Sequence, residues 1–189
     1  MSQLPLLVTP ATLASVKESV NLLILDLSEP LQYQQAHIPL AFHVRPSETQ
    51  WGRPPAPGLL PADEDLIKLI KRIGLRDEHH VITYDDEGGG WAGRMIWLLD
   101  SIGFSNSSLL SGGLQAWQAA GLPGTKEVPQ PTTDNFRMKL NPDTSITANE
   151  LDQLIDSGTV SVWDARSLAE YNGQRETALK NGHIPGAIH

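Results

Sequence analysis

An internal repeat is the feature of this sequence that most constrains its fold. The segment "LLILDLSEP" (22–30) aligns with "VSVWDARSL" (160–168), so that an aspartate ends each apolar run. The same offset of 138 residues aligns "TPATL" (9–13) with "TANEL" (147–151). Repetition at a fixed offset indicates that one structural unit occurs twice in the chain. Each copy is predicted to contain a helix, an apolar strand, a short helix and then a His-Ile-Pro turn.

The last landmark of the repeat predicts that the two copies differ in length. "AHIPLAFH" (36–43) returns as "GHIPGAIH" (182–189), identical at five of eight positions but at an offset of 146. The second copy therefore carries eight extra residues, which lie within 171–182. Because the first copy runs to about Pro123, a full second copy would need roughly 80 residues beyond His189. We accordingly expect the second copy to be truncated and its core incomplete.

Apolar runs of strand length alternate with helical periodicity along the first copy. Strands are predicted at 21–27, 80–85 and 107–111. Helices are predicted from Thr9 to about Glu18, and over 62–74, 90–103 and 113–123. This alternation is typical of an α/β fold with a parallel sheet, which helices cover on both faces.

The same pass along the chain predicts the domain organisation. Residues 1–123 form the first domain, and 144–189 begin the incomplete second one, with a strand at 159–163. Between them, 124–143 is rich in proline and threonine and has no apolar period, which is typical of a linker between domains.

Composition excludes several classes of function. The chain has no cysteine, which removes disulfides, thiolate metal sites and cysteine nucleophiles. Its net charge of −8 argues against a nucleic-acid partner, because phosphate binding needs clustered Lys and Arg. No apolar run approaches the roughly 20 residues of a membrane helix, and the amino terminus lacks the pattern of a secretory signal. We expect a cytoplasmic protein with no membrane partner.

The stretch "VITYDDEGGGWAGR" (81–94) is the best candidate for chemistry, because ligands of open α/β sheets bind beyond the carboxyl ends of the strands. Its glycines could turn backbone N–H groups inward as a cradle for an anion. However, Asp85, Asp86 and Glu87 open the loop and would repel an anion, which argues against a phosphate loop. A Mg²⁺-dependent phosphotransferase remains an alternative, with Asp85 attacking and Glu87 helping to hold the metal.

Five segments, in this order and spacing, resemble the tandem-domain rhodanese family of thiosulfate and 3-mercaptopyruvate sulfurtransferases. They are "LDLSEP…AHIPLA" (25–41), "VITYDDEGGGWAGRMIWLLDSIGF" (81–104), "LLSGGLQAWQAAGLP" (109–123), "VWDARSLAEY" (162–171) and "GHIPGAIH" (182–189). The resemblance covers almost the whole chain. It implies a rhodanese-like parallel sheet with helices on both faces, followed by a truncated second copy.

The resemblance also implies a chemistry that needs no cofactor. The active domain of such proteins presents a cysteine after the strand matching 80–84. This cysteine takes a sulfane sulfur from a small anionic donor and passes it to cyanide or another thiophilic acceptor. Asp85 occupies the cysteine position here, so the first domain is expected to be non-catalytic. The cysteine is expected in a missing carboxyl-terminal part, which could also be a separate partner fragment, and this chain alone should be inactive.

A different class of function stays open, in which the chain is a non-enzymatic rhodanese-homology module for binding or regulation. For the enzyme, the resemblance makes Arg166 a candidate for substrate binding in the cleft. Alternatively, Arg166 pairs with Asp164 or Glu170 and orders the turn. Relatives that use mercaptopyruvate tend to carry an arginine where Glu170 stands, and this difference favours thiosulfate.

Two pairs of repeated residues have structural explanations. His37 and His183 occur in both copies, including the one without a nucleophile, so we expect each to hydrogen-bond a turn rather than act in catalysis or bind a metal. Asp26 and Asp164 end their strands, and we expect them to cap or pair with nearby donors.

Overall fold

The computed structural model describes residues 4–17, 21–53, 58–131, 133–176 and 180–189. The chain divides into two units. The first comprises Met1–Trp51 and Leu59–Thr144, and the second comprises Gly52–Gly58 and Ser145–His189. The boundary at Thr144 falls at the end of the segment in which the sequence predicts a linker.

A five-stranded sheet forms the centre of the first unit. Its strands are β1 (Leu7–Val8), β2 (Leu22–Asp26), β3 (Ala41–His43), β4 (His80–Tyr84) and β5 (Ser107–Leu110). Every pairing is parallel, in the order β1-β5-β4-β2-β3. All the carboxyl ends therefore meet at one edge of the sheet, where the residues after β2 and β4 lie side by side.

Helices lie between these strands or follow the last of them. They are α1 (Pro10–Val16), α2 (Pro30–Gln35), α3 (Asp63–Ile73), α4 (Gly90–Ser101) and α5 (Gly113–Ala119), with a 3₁₀ helix at Pro46–Glu48 and another at Pro142–Thr144. Thr9 caps α1 by accepting a hydrogen bond from the Thr12 N–H, and Gly74 ends α3 in a left-handed conformation, φ 64°. The predicted helices are confirmed with slightly shorter bounds; Glu18 lies outside the described residues.

Successive side chains along a strand point to opposite faces of the sheet, where they pack into two separate cores. Leu23 and Leu25 of β2 pack on one face with α3 and α4, whereas Ile24 packs on the other face with α1 and α5. Trp117 of α5 is fully buried in the second of these cores. The predicted α/β fold, with helices on both faces of a parallel sheet, is confirmed.

The described part of 124–143 lies along the first unit. Phe136 is buried against Phe104 with the two rings nearly perpendicular, 5.5 Å between centroids. The Lys139 N–H donates to the Ile102 carbonyl and the Asn141 N–H to the Ser101 carbonyl. These contacts fix the path of the segment where it passes the end of α4.

The second unit contains helices α6 (Ala148–Asp156) and α7 (Leu168–Tyr171). The strand predicted at 159–163 is wrong, because the described residues there form only one parallel bridge, between Trp163 and Ile188. In the first unit β2 has a strand on each side, and a ladder of that kind is what holds an apolar run extended. Here a single short neighbour supplies too few hydrogen bonds for a strand.

None of the helices in the described residues combines the length and the apolar character that crossing a bilayer requires.

Candidate functional site

The side chain of Asp85 is enclosed by backbone N–H groups at the carboxyl end of β4. Its Oδ1 accepts hydrogen bonds from the N–H groups of Glu87, at 3.0 Å, and Gly89, at 2.8 Å. Its Oδ2 accepts one from Ala92, at 3.0 Å. Asp85 itself is only 2% exposed. We call these three converging N–H groups the Asp85 nest.

The glycines of the loop give the nest its shape. Gly88 and Gly89 have φ angles of 93° and 98°, which are strained for residues with a Cβ. This backbone turns the N–H groups toward the Asp85 carboxylate just before α4 begins at Gly90. The first N–H groups of a helix have no partner within the helix and carry partial positive charge, so a carboxylate there is stabilised.

The opposite side of the loop is held by α5. The Asp85 carbonyl accepts a hydrogen bond from the Leu114 N–H at 3.3 Å. A Cβ on Gly113 would lie 2.2 Å from the same carbonyl oxygen, so only glycine permits this close approach. The Thr83 hydroxyl also donates to the Ala92 carbonyl at 3.1 Å, joining β4 to the first turn of α4.

The sequence correctly places an anion cradle in this loop, and the expectation that its acids exclude a free anion agrees with the position of Asp85. That carboxylate is itself the anion in the cradle, whereas Glu87 is exposed. The importance of Gly113 was missed, although two adjacent glycines after a strand are a signal for close backbone approach.

The geometry argues against the phosphotransferase alternative. Both Asp85 oxygens accept from N–H groups, so attack on a phosphoryl group or coordination of Mg²⁺ would require breaking those bonds. Over the described ranges, no three His, Cys, Asp or Glu side chains are grouped so that they could hold a metal ion.

A buried acid and phenol lie next to the nest. The Tyr84 hydroxyl donates to Asp26 Oδ2 and accepts from the Ile38 N–H at 3.0 Å, while Asp26 Oδ1 accepts from the Ser28 N–H at 2.7 Å. Burial raises the pKa of Asp26, and burial beside that carboxylate raises the pKa of Tyr84 well above its usual value. The expectation that Asp26 pairs with nearby donors is confirmed.

His37 has the structural role that the sequence predicts. Its ring stacks on Tyr33 with 3.8 Å between centroids. Its Nδ1 lies 2.8 Å from the Tyr33 carbonyl oxygen, and its Nε2 lies 3.0 Å from that of Glu127. The Tyr33 hydroxyl donates to the Ala41 carbonyl, so that this stack closes the turn around His-Ile-Pro.

The second unit repeats these contacts. His183 stacks on Tyr171 at 3.8 Å, and its Nδ1 lies 2.9 Å from the Tyr171 carbonyl oxygen. The Tyr171 hydroxyl donates to the Ala187 carbonyl at 2.8 Å. The correspondence found by aligning the sequence therefore extends to individual hydrogen bonds.

Arg166 forms the pair that the sequence analysis names as the alternative to substrate binding. Its guanidinium donates to both carboxylate oxygens of Asp164 and to the Gly182 carbonyl. The hydrogen bond from Arg166 lowers the pKa of Asp164 to about 2. Glu170 instead accepts from the N–H and the hydroxyl of Ser167, the N-cap residue of α7.

Arg166 also lines an open cleft within the second unit. The cleft has a volume of about 680 Å³, and Trp163, Lys180 and His183 are among its other lining residues. Two cations beside one carboxylate, Asp164, give this cleft a net positive lining.

Comparisons with known proteins agree with the fold. The family model of the rhodanese-like domain matches residues 9–120 and 147–189. A thiosulfate sulfurtransferase from Pseudomonas aeruginosa is 46% identical over 187 residues, which cover 99% of this chain and 69% of that protein. One from Azotobacter vinelandii is 42% identical over the same shares of the two chains.

A solved structure gives the same result in three dimensions. The crystal structure of SseA, a 3-mercaptopyruvate sulfurtransferase from Escherichia coli, matches with a TM-score of 0.85 at 26% identity. The match covers 98% of this chain and 74% of that one. Because the family model matches most of the residues here, and because the similar proteins share both sequence and fold, we conclude that the chain belongs to the rhodanese-like family of sulfurtransferases.

Proposed function

We propose that this chain is the non-catalytic first domain, and the beginning of the second domain, of a thiosulfate sulfurtransferase. One observation carries the assignment of roles. The nest at the end of β4, where the family presents its nucleophile, is filled by the Asp85 carboxylate, and the sequence contains no cysteine. A carboxylate cannot carry sulfane sulfur.

The proposed reaction needs a thiolate at two steps. The thiolate attacks the outer sulfur of thiosulfate, the S–S bond breaks, and sulfite leaves with the electron pair. Cyanide or another thiophilic acceptor then attacks the outer sulfur of the persulfide and regenerates the thiolate. A ring of N–H donors favours both sulfur anions. The cysteine is supplied from outside these 189 residues, so we expect the chain alone to be inactive.

The similar proteins and the residue at position 170 support thiosulfate as the sulfur donor. The relatives from Pseudomonas aeruginosa and Azotobacter vinelandii are thiosulfate sulfurtransferases. In the second unit, Arg166 and Lys180 line the cleft, and a small dianion there would compete with Asp164 for the Arg166 guanidinium. Glu170 places a negative charge where relatives specific for mercaptopyruvate tend to carry an arginine.

The unpaired side of the segment 160–164 suggests where a strand that leads to the cysteine would pair. Leu25 of β2 is fully buried and lies between β3 and β4. Its equivalent, Trp163, bridges to Ile188 alone among the described residues and is 79% exposed. A further strand on that side of 160–164 would complete the unit and, by analogy with β4, would lead into a loop that carries the cysteine.

Sulfur transfer from thiosulfate to cyanide tests the proposal. The 189-residue chain should form no thiocyanate above the rate without protein, and a longer product with a cysteine-bearing loop should turn over. Turnover by the cysteine-free chain would overturn the assignment of the nucleophile. A longer product that contains the cysteine and yet shows no turnover would instead favour the non-enzymatic module.

A further inference from the structure

We propose that Asn181 is a site of spontaneous deamidation, which converts its amide into a carboxylate and neutralises the net positive lining of the cleft around Arg166. The sequence contains two Asn-Gly dipeptides, Asn172-Gly173 and Asn181-Gly182, and both belong to the second unit. The structure distinguishes them, because the glycine nitrogen is bonded in the first dipeptide and free to react in the second. The modification requires only water and does not depend on the sulfurtransferase activity proposed above.

Deamidation begins when a backbone nitrogen attacks the asparagine side chain that precedes it. The Gly182 nitrogen loses its proton and bonds to the side-chain carbonyl carbon of Asn181, and ammonia leaves, so that a succinimide ring forms. Water then opens the ring at either of its carbonyl groups and gives aspartate or isoaspartate. The net change is the uptake of water and the release of ammonia. Glycine favours the attack because no side chain shields its nitrogen and its backbone turns freely.

The surroundings of Asn181 meet the requirements of this attack. Asn181 is exposed, and its side chain forms no hydrogen bond with any residue that the structure describes. Within the same described ranges, the Gly182 N–H donates to no acceptor. Gly182 lies outside the helices and strands, and no atom is found within 4 Å of the place where its Cβ would stand. The nitrogen therefore gives up no bond when it turns toward the amide.

The dipeptide Asn172-Gly173 provides an internal comparison, because its nitrogen is held. Asn172 follows the last residue of α7, and its N–H donates to the Leu168 carbonyl. The Gly173 N–H donates to the Glu170 carbonyl at 3.0 Å, and attack by this nitrogen would break that bond. A Cβ on Gly173 would lie 3.2 Å from the Gly182 nitrogen, so the two dipeptides are neighbours. They differ in the bonding of the attacking nitrogen.

Conversion of Asn181 would change the charge of the cleft that it lines. Arg166 and Lys180 line this cleft together with one carboxylate, that of Asp164. A second carboxylate at position 181 would balance the two cations. The Gly182 carbonyl also accepts a hydrogen bond from the Arg166 guanidinium at 2.8 Å. Because isoaspartate lengthens the main chain just before Gly182, we expect it to displace this carbonyl and break the bond.

Peptide mapping of the 189-residue chain over time tests the proposal. The chain is incubated at neutral pH, folded and in guanidinium chloride, and is then cleaved after Glu170 and Glu176, which places the two asparagines in separate peptides. Mass spectrometry measures the rate of conversion at positions 172 and 181. Relative to the denatured chain, folding should raise the ratio of the rate at 181 to that at 172 by about 2–12-fold, the factor that one hydrogen bond supplies. A ratio that folding leaves unchanged or lowers would overturn the proposal.

The Asn181→Gln variant tests the effect on the cleft. Glutamine keeps an amide at this exposed position, but its longer side chain would have to form a larger ring, which is slow. In the parent, the NMR resonance of the Arg166 Nε–H should change with the time course of isoaspartate formation, whereas in the variant it should stay constant. A resonance that moves equally in both proteins, or that stays constant while residue 181 converts, would overturn the proposed effect on the cleft.

Discussion

Two buried aspartates illustrate how the donors around a carboxylate decide its role. Asp85 accepts only backbone N–H groups, which the loop and the start of α4 supply. Asp26 accepts one backbone N–H and one phenol, with its side chain fully removed from solvent. Burial therefore dominates at Asp26 and raises its pKa. The sequence shows only that both residues follow apolar strands.

The raised pKa of Asp26 predicts how stability changes with pH. A group whose pKa is higher in the folded state contributes stability that is fully present below its unfolded pKa, about 3.9. That contribution is lost as the pH rises through the folded pKa. The Asp26→Asn variant has no titrating group at this position. Its free energy of unfolding should therefore rise relative to that of the parent between pH 4 and pH 7. Urea unfolding at a series of pH values measures this difference, and a constant difference would contradict the prediction.

At the scale of elements, length decided what the sequence could predict. The five-residue strands β2 and β4 are rich in apolar and β-branched residues, and both were predicted. β1 has two residues and β3 has three, too few for any periodicity to show. The apolar run at 159–163 is long enough for a strand but does not form one. A strand also requires neighbouring strands, and a local sequence pattern does not show whether these are present.

The close approach of α5 to the loop predicts a specific effect of one methyl group. Gly113 and Gly121 both have left-handed backbones, with φ of 56° and 70°, but only Gly113 has an atom where a Cβ would be placed. Gly121→Ala should cost about 1–2 kcal/mol of stability from backbone strain. Gly113→Ala should cost clearly more, because α5 must also move away from the Asp85 carbonyl. Equal losses in urea unfolding would show that the contact does not constrain α5.

At the scale of the whole molecule, the matching contacts of the aligned segments were predictable, whereas the group that fills the Asp85 nest was not. Alignment of the two copies located His37 with His183 and Asp26 with Asp164, and the contacts of these residues follow the alignment. Only Asp85 places its carboxylate in the nest. The sequence shows three consecutive acids, Asp85, Asp86 and Glu87, and does not distinguish which of them does so.

Completion of the second unit predicts that one substitution has different effects in two products. Trp163 is largely exposed here, so Trp163→Lys in the 189-residue chain should change the free energy of unfolding by less than about 0.5 kcal/mol. In a longer product, a new strand would bury this position as β4 buries Leu25, and an unpaired lysine should cost about 3 kcal/mol or more. Circular dichroism during urea unfolding of both products gives the comparison. A negligible effect in both would contradict completion on this side.

The stack of Tyr171 and His183 has a practical consequence for engineering. The second copy holds eight more residues than the first between these two rings, yet the rings meet at the same 3.8 Å as those of Tyr33 and His37. Chain length can therefore vary at this point while the anchors on either side keep their geometry. An epitope or a fluorophore-binding tag can therefore be inserted within 172–182, away from Lys180 and Gly182, which line the cleft. The three residues between Tyr33 and His37, at the end of α2, are the place to avoid.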